Sequence, residues 1–183
     1  TAELAIQRLV RLQQVCSGYL VNDEGDFQKL GDSPRIRCLM SFVERAQGQG
    51  IIWAKYNPDI ASISAALKAA GETFVEYGPN TRESARRDFQ RGEARWFIAK
   101  QSSSAARGLT LTAAQNVVYF NNNFVMDNRA QSEDRAHRFG QTKTVVYADI
   151  IARDTVDEHI LEVLRGKRNM SDIVTGDSPT SWV

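Results

Sequence analysis

Apolar positions along this chain switch between two spacings, and the switches mark out its elements. Over residues 3–20, Leu4, Leu9, Leu12, Val15 and Cys16 fall near helical spacing, which predicts an amphipathic helix that needs a surface to pack on. Residues 21–32, rich in Asp, Gly and Asn, predict a loop. Ser33 followed by Pro34 supplies a helix N-cap and a proline at the first helical position, with Ile36, Leu39, Met40 and Val43 as the buried stripe. From there strand and helix alternate. Short apolar runs at 51–54, 73–77, 96–99, 117–120 and 144–151 predict strands. Between them lie helices over 58–70, with Ile60, Ile63 and Leu67 inward and Gly71 past the end, and over 81–91. A further helix carries Arg135 and Arg138. Thr155-Val-Asp-Glu158 reads as a capping box opening a last helix with Val156, Ile160, Val163 and Leu164 inward, and the polar stretch from Ser171 predicts a loose tail. Near-continuous apolar strands separated by helices imply a parallel sheet covered on both faces. Ligands of such sheets sit at the carboxyl ends of the strands.

Composition narrows this picture. With 183 residues, 42% of them hydrophobic and 25% charged, the chain suits one well-buried domain. The net charge of +1 excludes a global electrostatic footprint for nucleic acid, although Arg82, Arg86, Arg87, Arg91 and Arg95 gather locally. Contacts to nucleic acid must therefore come from individually placed residues. Cys16 and Cys38 are too few for a metal cluster and stand among apolar neighbours as buried thiols would, so a reducing, cytoplasmic setting is the default expectation. No apolar run approaches the ~20 residues that span a bilayer, and the start of the chain has no signal-peptide pattern. Because it begins at Thr1, the chain is expected to be part of something longer.

Candidate chemistry concentrates in two strings. Arg135 and Arg138, three residues apart, share one helix face, and two guanidiniums there suit an anion with several oxygens such as a triphosphate or a nucleic-acid backbone. Residues 101–114 follow a strand and combine small residues, hydroxyls and Gly108, so their backbone can approach a phosphate closely. Lys55, just beyond the first sheet strand, stands at the ligand-binding end. Two look-alikes carry no such chemistry. Asp157-Glu-His-Ile160 resembles an acidic helicase box but opens a helix rather than following a strand, and Gly166-Lys167 lacks the phosphate loop's earlier glycine, whose place is Leu161. No second ligand stands near His137 or His159, so neither suggests a metal site.

The whole string Gln131-Ser-Glu-Asp-Arg-Ala-His-Arg-Phe-Gly-Gln141 resembles the sixth motif of superfamily-two helicases in the form used by Swi/Snf-type DNA translocases. Ala105-Ala-Arg-Gly-Leu-Thr110 resembles the fifth motif upstream of it, with Thr110 where many helicases carry aspartate. The resemblance implies a RecA-like α/β lobe, the second of two, without a phosphate loop of its own. Residues 1–32 would be the inter-lobe linker helix and loop, 33–170 the lobe, and 171–183 the tail. Carried over residue by residue, Arg135 and Arg138 are the arginine fingers, Gly108 and Gln131 meet the nucleotide, and Lys55, Ser102 and Ser103 meet DNA. ATP and Mg2+ would be held mainly by the N-terminal helicase lobe of the same protein, and the other implied partner is double-stranded DNA. Such a protein is expected in the cytoplasm, in the nucleus if eukaryotic, or with the nucleoid if bacterial or phage. It would be a DNA-dependent ATPase as a whole, and this chain alone would not hydrolyse ATP. An alternative is a nucleic-acid-binding or protein-docking module that keeps the lobe fold without catalytic contribution. Such a module would hold DNA alone, with affinity falling steeply as salt rises.

Overall fold

Three apolar runs form the centre of the fold. In the computed structural model, which describes residues 2–22, 26–101, 109–122, 126–136 and 141–175, they are strands β3 (Gln49–Ala54), β5 (Trp96–Lys100) and β6 (Ala114–Tyr119). Outside them lie β4 (Phe74–Glu76) and β7 (Val146–Asp149), giving a five-stranded sheet in the order β4-β5-β3-β6-β7 with every pair parallel. Ile51 is in register with both Phe97 and Val117, so side chains of three strands form common rows.

Alternation along the strands divides the core into two layers. Ile52, Ala54, Trp96, Ile98, Val118 and Phe120 face helices α2 (Pro34–Arg45) and α3 (Asn57–Ala69), which contribute Leu39, Val43, Ile63 and Leu67. Ile51, Trp53, Phe97, Ala99, Val117 and Tyr119 face α4 (Arg82–Gln90), through Ala85 and Phe89, and α5 (Met126–Ala136), through Ala136. Each large side chain so buried contributes roughly 1.5–3 kcal/mol relative to exposure. Ser33 caps α2, accepting the Ile36 N–H at 3.3 Å with Pro34 in the first turn, and Gly71 follows α3 at φ +73°, as the sequence predicts. Gly50 is required for another reason: a Cβ there would lie 2.3 Å from Cζ3 of Trp96.

Several expectations are corrected. The segment after the first helix is not simply a loop: α1 (Ala2–Ser17) stops at Gly18 (φ +89°), and β1 (Tyr19–Val21) pairs antiparallel with β2 (Phe27–Lys29). Asn22 and Asp26 close this hairpin through reciprocal side-chain and backbone bonds of 2.6–3.0 Å, and Tyr19 anchors it against Phe27. Part of the expected stripe of α1 also faces outward. Leu12 and Val15 are 52% and 47% exposed, whereas Gln13, Gln14 and Ser17 are buried. Toward its C-terminal end the helix docks through amide hydrogen bonds of Gln13 and Gln14, with Leu9, Val10 and Cys16 half-buried. At the other end, α6 (Val156–Thr175) continues past Ser171. Cys38 is exposed rather than buried. The arginine cluster is largely neutralised: Arg86 pairs with Glu83, Arg87 with Asp88, and Arg95 with Glu72 and the carbonyls of Val43 and Ala46.

Candidate nucleotide and DNA site

The carboxyl ends of β3, β6 and β7 carry a polar layer that begins where the apolar runs stop. At its centre is Arg35, 4% exposed, donating to the carbonyls of Phe120 (2.5 Å), Ile150 (3.1 Å) and Cys16 (3.3 Å) and pairing with Asp157. One side chain therefore joins the ends of two strands, the end of α1 and the start of α6. Asp157 also accepts the Ala152 N–H at 3.0 Å. The Asp157-Glu-His-Ile160 string is thus a helix start with a buried structural carboxylate, as its capping pattern predicts.

Lys55 follows β3. Its N–H donates to Oδ1 of Asn121 at 2.7 Å, and its ammonium, 4.9 Å from the centre of the Tyr56 ring, donates to the Gln13 side chain of α1. Gln13 in turn donates to the Asn122 carbonyl at 2.8 Å and accepts from the Tyr56 hydroxyl at 3.1 Å. Burial lowers the Lys55 pKa, against the attraction of Asp59 and Asp157, and lifts Tyr56 to about 12. Burial likewise raises the carboxyl of Asp59, opposed chiefly by a 2.6 Å bond from Asn121. Lys55 is therefore a half-buried cation held by a neutral amide, an acceptor that a phosphate would outcompete.

The second half of the layer is built on α5. Arg129, 2% exposed, donates to both oxygens of Asp149 at 2.5 and 3.1 Å, to Glu133 at 2.7 Å and to Asn122 at 3.0 Å. Its guanidinium lies 3.4 Å from the centre of the Tyr119 ring. Burial opposes its charge, but Tyr119, Asp149 and Glu133 outweigh that and hold its pKa above the ordinary arginine value. Further along the helix, the half-buried Arg135 donates through Nε to the Gln131 carbonyl at 2.9 Å and through Nη1 to the Leu109 carbonyl at 3.0 Å. Its own carbonyl accepts the Leu111 N–H at 3.0 Å. Gln141 closes the string by donating to the carbonyls of Thr112, Ala114 and Ala136 at 3.0–3.1 Å. The two strings singled out in the sequence thus meet, the helix of one bonded to the residues that end the other.

Of the expected site residues, Arg135 and Gln131 lie together on α5, and Lys55 lies at the end of β3, engaged with α1. Arg138, Gly108, Ser102 and Ser103 lie outside the described residues. Sequence reading missed Arg35, Arg129, Asp149 and the pair Asn121-Asn122; for Asp149 and the two asparagines the available signal was polar residues set at the ends of strands otherwise apolar, whereas the two arginines lie inside helices and carry no such signal. Among the described residues no group of three or more His, Cys, Asp or Glu is placed to hold a metal ion, and no helix is long and apolar enough to cross a membrane. A magnesium ion, which takes oxygen ligands, thus finds no carboxylate cradle among them.

Comparison with known proteins agrees with this geometry. Residues 35–140 match the family described as the helicase conserved C-terminal domain. Among similar proteins, the chromatin-remodeling ATPase INO80 of Cryptococcus neoformans is 42% identical over 76 residues, covering 42% of this chain and 4% of that protein. The SWI/SNF-related matrix-associated actin-dependent regulator of chromatin subfamily A-like protein 1 of Drosophila melanogaster is 30% identical over 69% of this chain and 17% of its own length. The ATP-dependent helicase fft3 of Schizosaccharomyces pombe is 23% identical over 81% of this chain, again 17% of its length. The chain therefore spans a small part of the relatives it matches. In fold it resembles the C-terminal part of the Fun30 ATPase domain, with a TM-score of 0.66 at 23% identity over 88% of this chain and 52% of that one. A parallel RecA-like sheet, the first half of the sixth-motif string on α5 and a family match over more than half the chain identify it as a helicase conserved C-terminal domain, the second lobe of the Swi/Snf type within superfamily two.

Proposed function

We propose that this chain is the second lobe of an ATP-driven motor that moves along double-stranded DNA. The observation that carries the reading is the 3.0 Å backbone bond from the Leu111 N–H to the Arg135 carbonyl, which fastens the sixth-motif helix to the residues that end the fifth-motif segment and lets the Arg135 side chain change partners. Nucleotide and strand contacts built on these two pieces would shift as one body.

In this reading the N-terminal helicase lobe of the same protein holds ATP and Mg2+, and residues 1–32 link the lobes. ATP supplies the phosphoanhydride bond whose cleavage drives the cycle. When the lobes close, Arg135 leaves the neutral carbonyls of Leu109 and Gln131 for the γ-phosphate, joined by Arg138. The exchange is favourable because a hydrogen bond to an ionised acceptor is roughly twice as strong as one to a neutral acceptor. Such an arginine is worth about a thousandfold to a hundred-thousandfold in turnover, or roughly 4–7 kcal/mol of barrier. Gly108 and Gln131 border the nucleotide, and Lys55, Ser102 and Ser103 contact phosphates of the DNA strand. Opening after hydrolysis would then move the strand contacts along the duplex. Relatives named as chromatin remodelers favour the nucleus as the place of work.

The test is ATP hydrolysis by the intact protein with and without double-stranded DNA, beside the 183-residue chain by itself. The expected result is DNA-stimulated turnover by the intact protein and none by the chain. Turnover by the chain alone, or an intact protein indifferent to DNA, would overturn the reading.

A further inference from the structure

Helix α5 has little apolar means of holding its place. Its sequence, Met126-Asp-Asn-Arg-Ala-Gln-Ser-Glu-Asp-Arg-Ala136, has one large apolar side chain, and Ala136 is the residue it gives to the buried core cluster. Directed polar contacts must therefore do much of the work. At the C-terminal end of the helix they run from Arg135 and Ala136 to Leu109, Leu111 and Gln141, and in its body they converge on Arg129. The planar fork of Arg129 grips Asp149, the last residue of β7, by two bonds, and the same guanidinium reaches Asn122, just past the end of β6. The ring of Tyr119, the last residue of β6, forms its floor at 3.4 Å. Asp149 is also held by the Asn122 amide, which donates at 2.6 Å to the same Oδ1 that Arg129 reaches. A second contact repeats the hold one turn along: the Ser132 hydroxyl is 2.7 Å from that of Tyr119 and donates to the Arg129 carbonyl at 2.7 Å. Arg129, Ser132 and Ala136, all buried, thus form the seated stripe of the helix.

We propose that Arg129 is the positioning residue of this lobe: by locking α5 to the ends of β6 and β7 it sets the rotation and height at which Arg135 is presented. The proposal rests on the arginine-finger reading above. The lever is short and steep. Arg135 stands six residues beyond Arg129, and one residue of slip on a helix is a rotation of about 100° with a rise of about 1.5 Å. A displacement of about 1 Å from a group remote from the chemistry can cost roughly a hundredfold in rate. Lysine cannot replace the fork, because a single ammonium cannot grip both oxygens of Asp149 while lying flat on Tyr119.

The test compares Arg129→Lys and the charge-balanced double variant Arg129→Met/Asp149→Asn with wild type, all in the intact protein. The double variant removes both charges of the pair, so it leaves no buried partner charge on β7 to unfold the lobe. The readouts are kcat and KM for ATP, DNA affinity, and hydrogen exchange over residues 126–136 with residues 49–69 as internal control. The expected result is exchange at least ten times faster over 126–136 and unchanged over 49–69. With it comes a ten- to hundredfold fall in kcat while KM and DNA affinity stay within twofold of wild type. A folded variant with kcat within twofold of wild type, or with unchanged exchange over 126–136, overturns the proposal, as does equal loosening of both segments. Arg135→Ala, run in parallel, separates the two ideas. If Arg135→Ala leaves kcat intact the finger reading falls, and the exchange rates still decide whether Arg129 sets α5.

Discussion

Removing the Arg35 guanidinium should be among the costliest single changes in the lobe, and the structure sets its scale. In Arg35→Met the Asp157 carboxylate, 5% exposed, keeps only the Ala152 N–H, and the carbonyls of Phe120, Ile150 and Cys16 each lose their bond from Arg35. Breaking a buried ion pair from one side costs about 3–5 kcal/mol because the surviving charge stays buried. At about 2–4 °C per kcal/mol for a domain of this size, the midpoint of thermal unfolding should fall by roughly 6–20 °C. The double variant Arg35→Met/Asp157→Asn removes the stranded charge. It should therefore recover about 2 kcal/mol relative to the sum of the single changes. Urea unfolding followed by the fluorescence of Trp53 and Trp96, both fully buried, measures each variant against wild type. A cost for Arg35→Met under about 1 kcal/mol would show that the pair does not hold these elements together, and so would strict additivity of the two changes.

Two further outcomes follow from the same contacts. Gly50→Ala places a methyl 2.3 Å from Trp96 inside the core and should cost about 1–3 kcal/mol in urea unfolding. Lys55→Met should leave stability at neutral pH equal to or above wild type, because burial holds the Lys55 pKa below its unfolded value. Such a depressed lysine has its full stability contribution only above the unfolded pKa and loses it as pH falls through the folded one, so wild type alone should gain stability as pH rises through that window. The same variant should weaken DNA binding by the intact protein and lower the salt slope by about one, where an unchanged slope would remove Lys55 from the DNA contact.

The sheet was legible in the sequence because its central strands are continuous apolar runs flanked by capped helices, a pattern that local physics fixes within a few residues. The β1–β2 hairpin was not, because its strands are three residues long and its closure depends on Asn22 and Asp26 reaching each other rather than on any apolar rhythm. The face of α1 was misjudged for a related reason. Periodicity treats Leu12 and Val15 as inward, whereas Gln13 is drawn inward by partners at Lys55, Tyr56 and Asn122, which no local window contains. Within the site, the sixth-motif string was recognisable residue by residue, and its bond to Leu109 agrees with the order of the motifs. Arg35 and Arg129 were invisible because a buried arginine is defined by its partner, and theirs lie 122 and 20 positions away.

If the arginines of the sixth-motif string act on ATP, turnover must depend on each of them. The most direct measurement is steady-state ATP hydrolysis by the intact protein on double-stranded DNA, comparing wild type with Arg135→Ala and Arg138→Ala, with DNA affinity measured on the same preparations. Each substitution is expected to lower kcat by about a thousandfold or more while DNA affinity is retained. Unchanged turnover in both variants would contradict it and leave a lobe that holds DNA without taking part in hydrolysis.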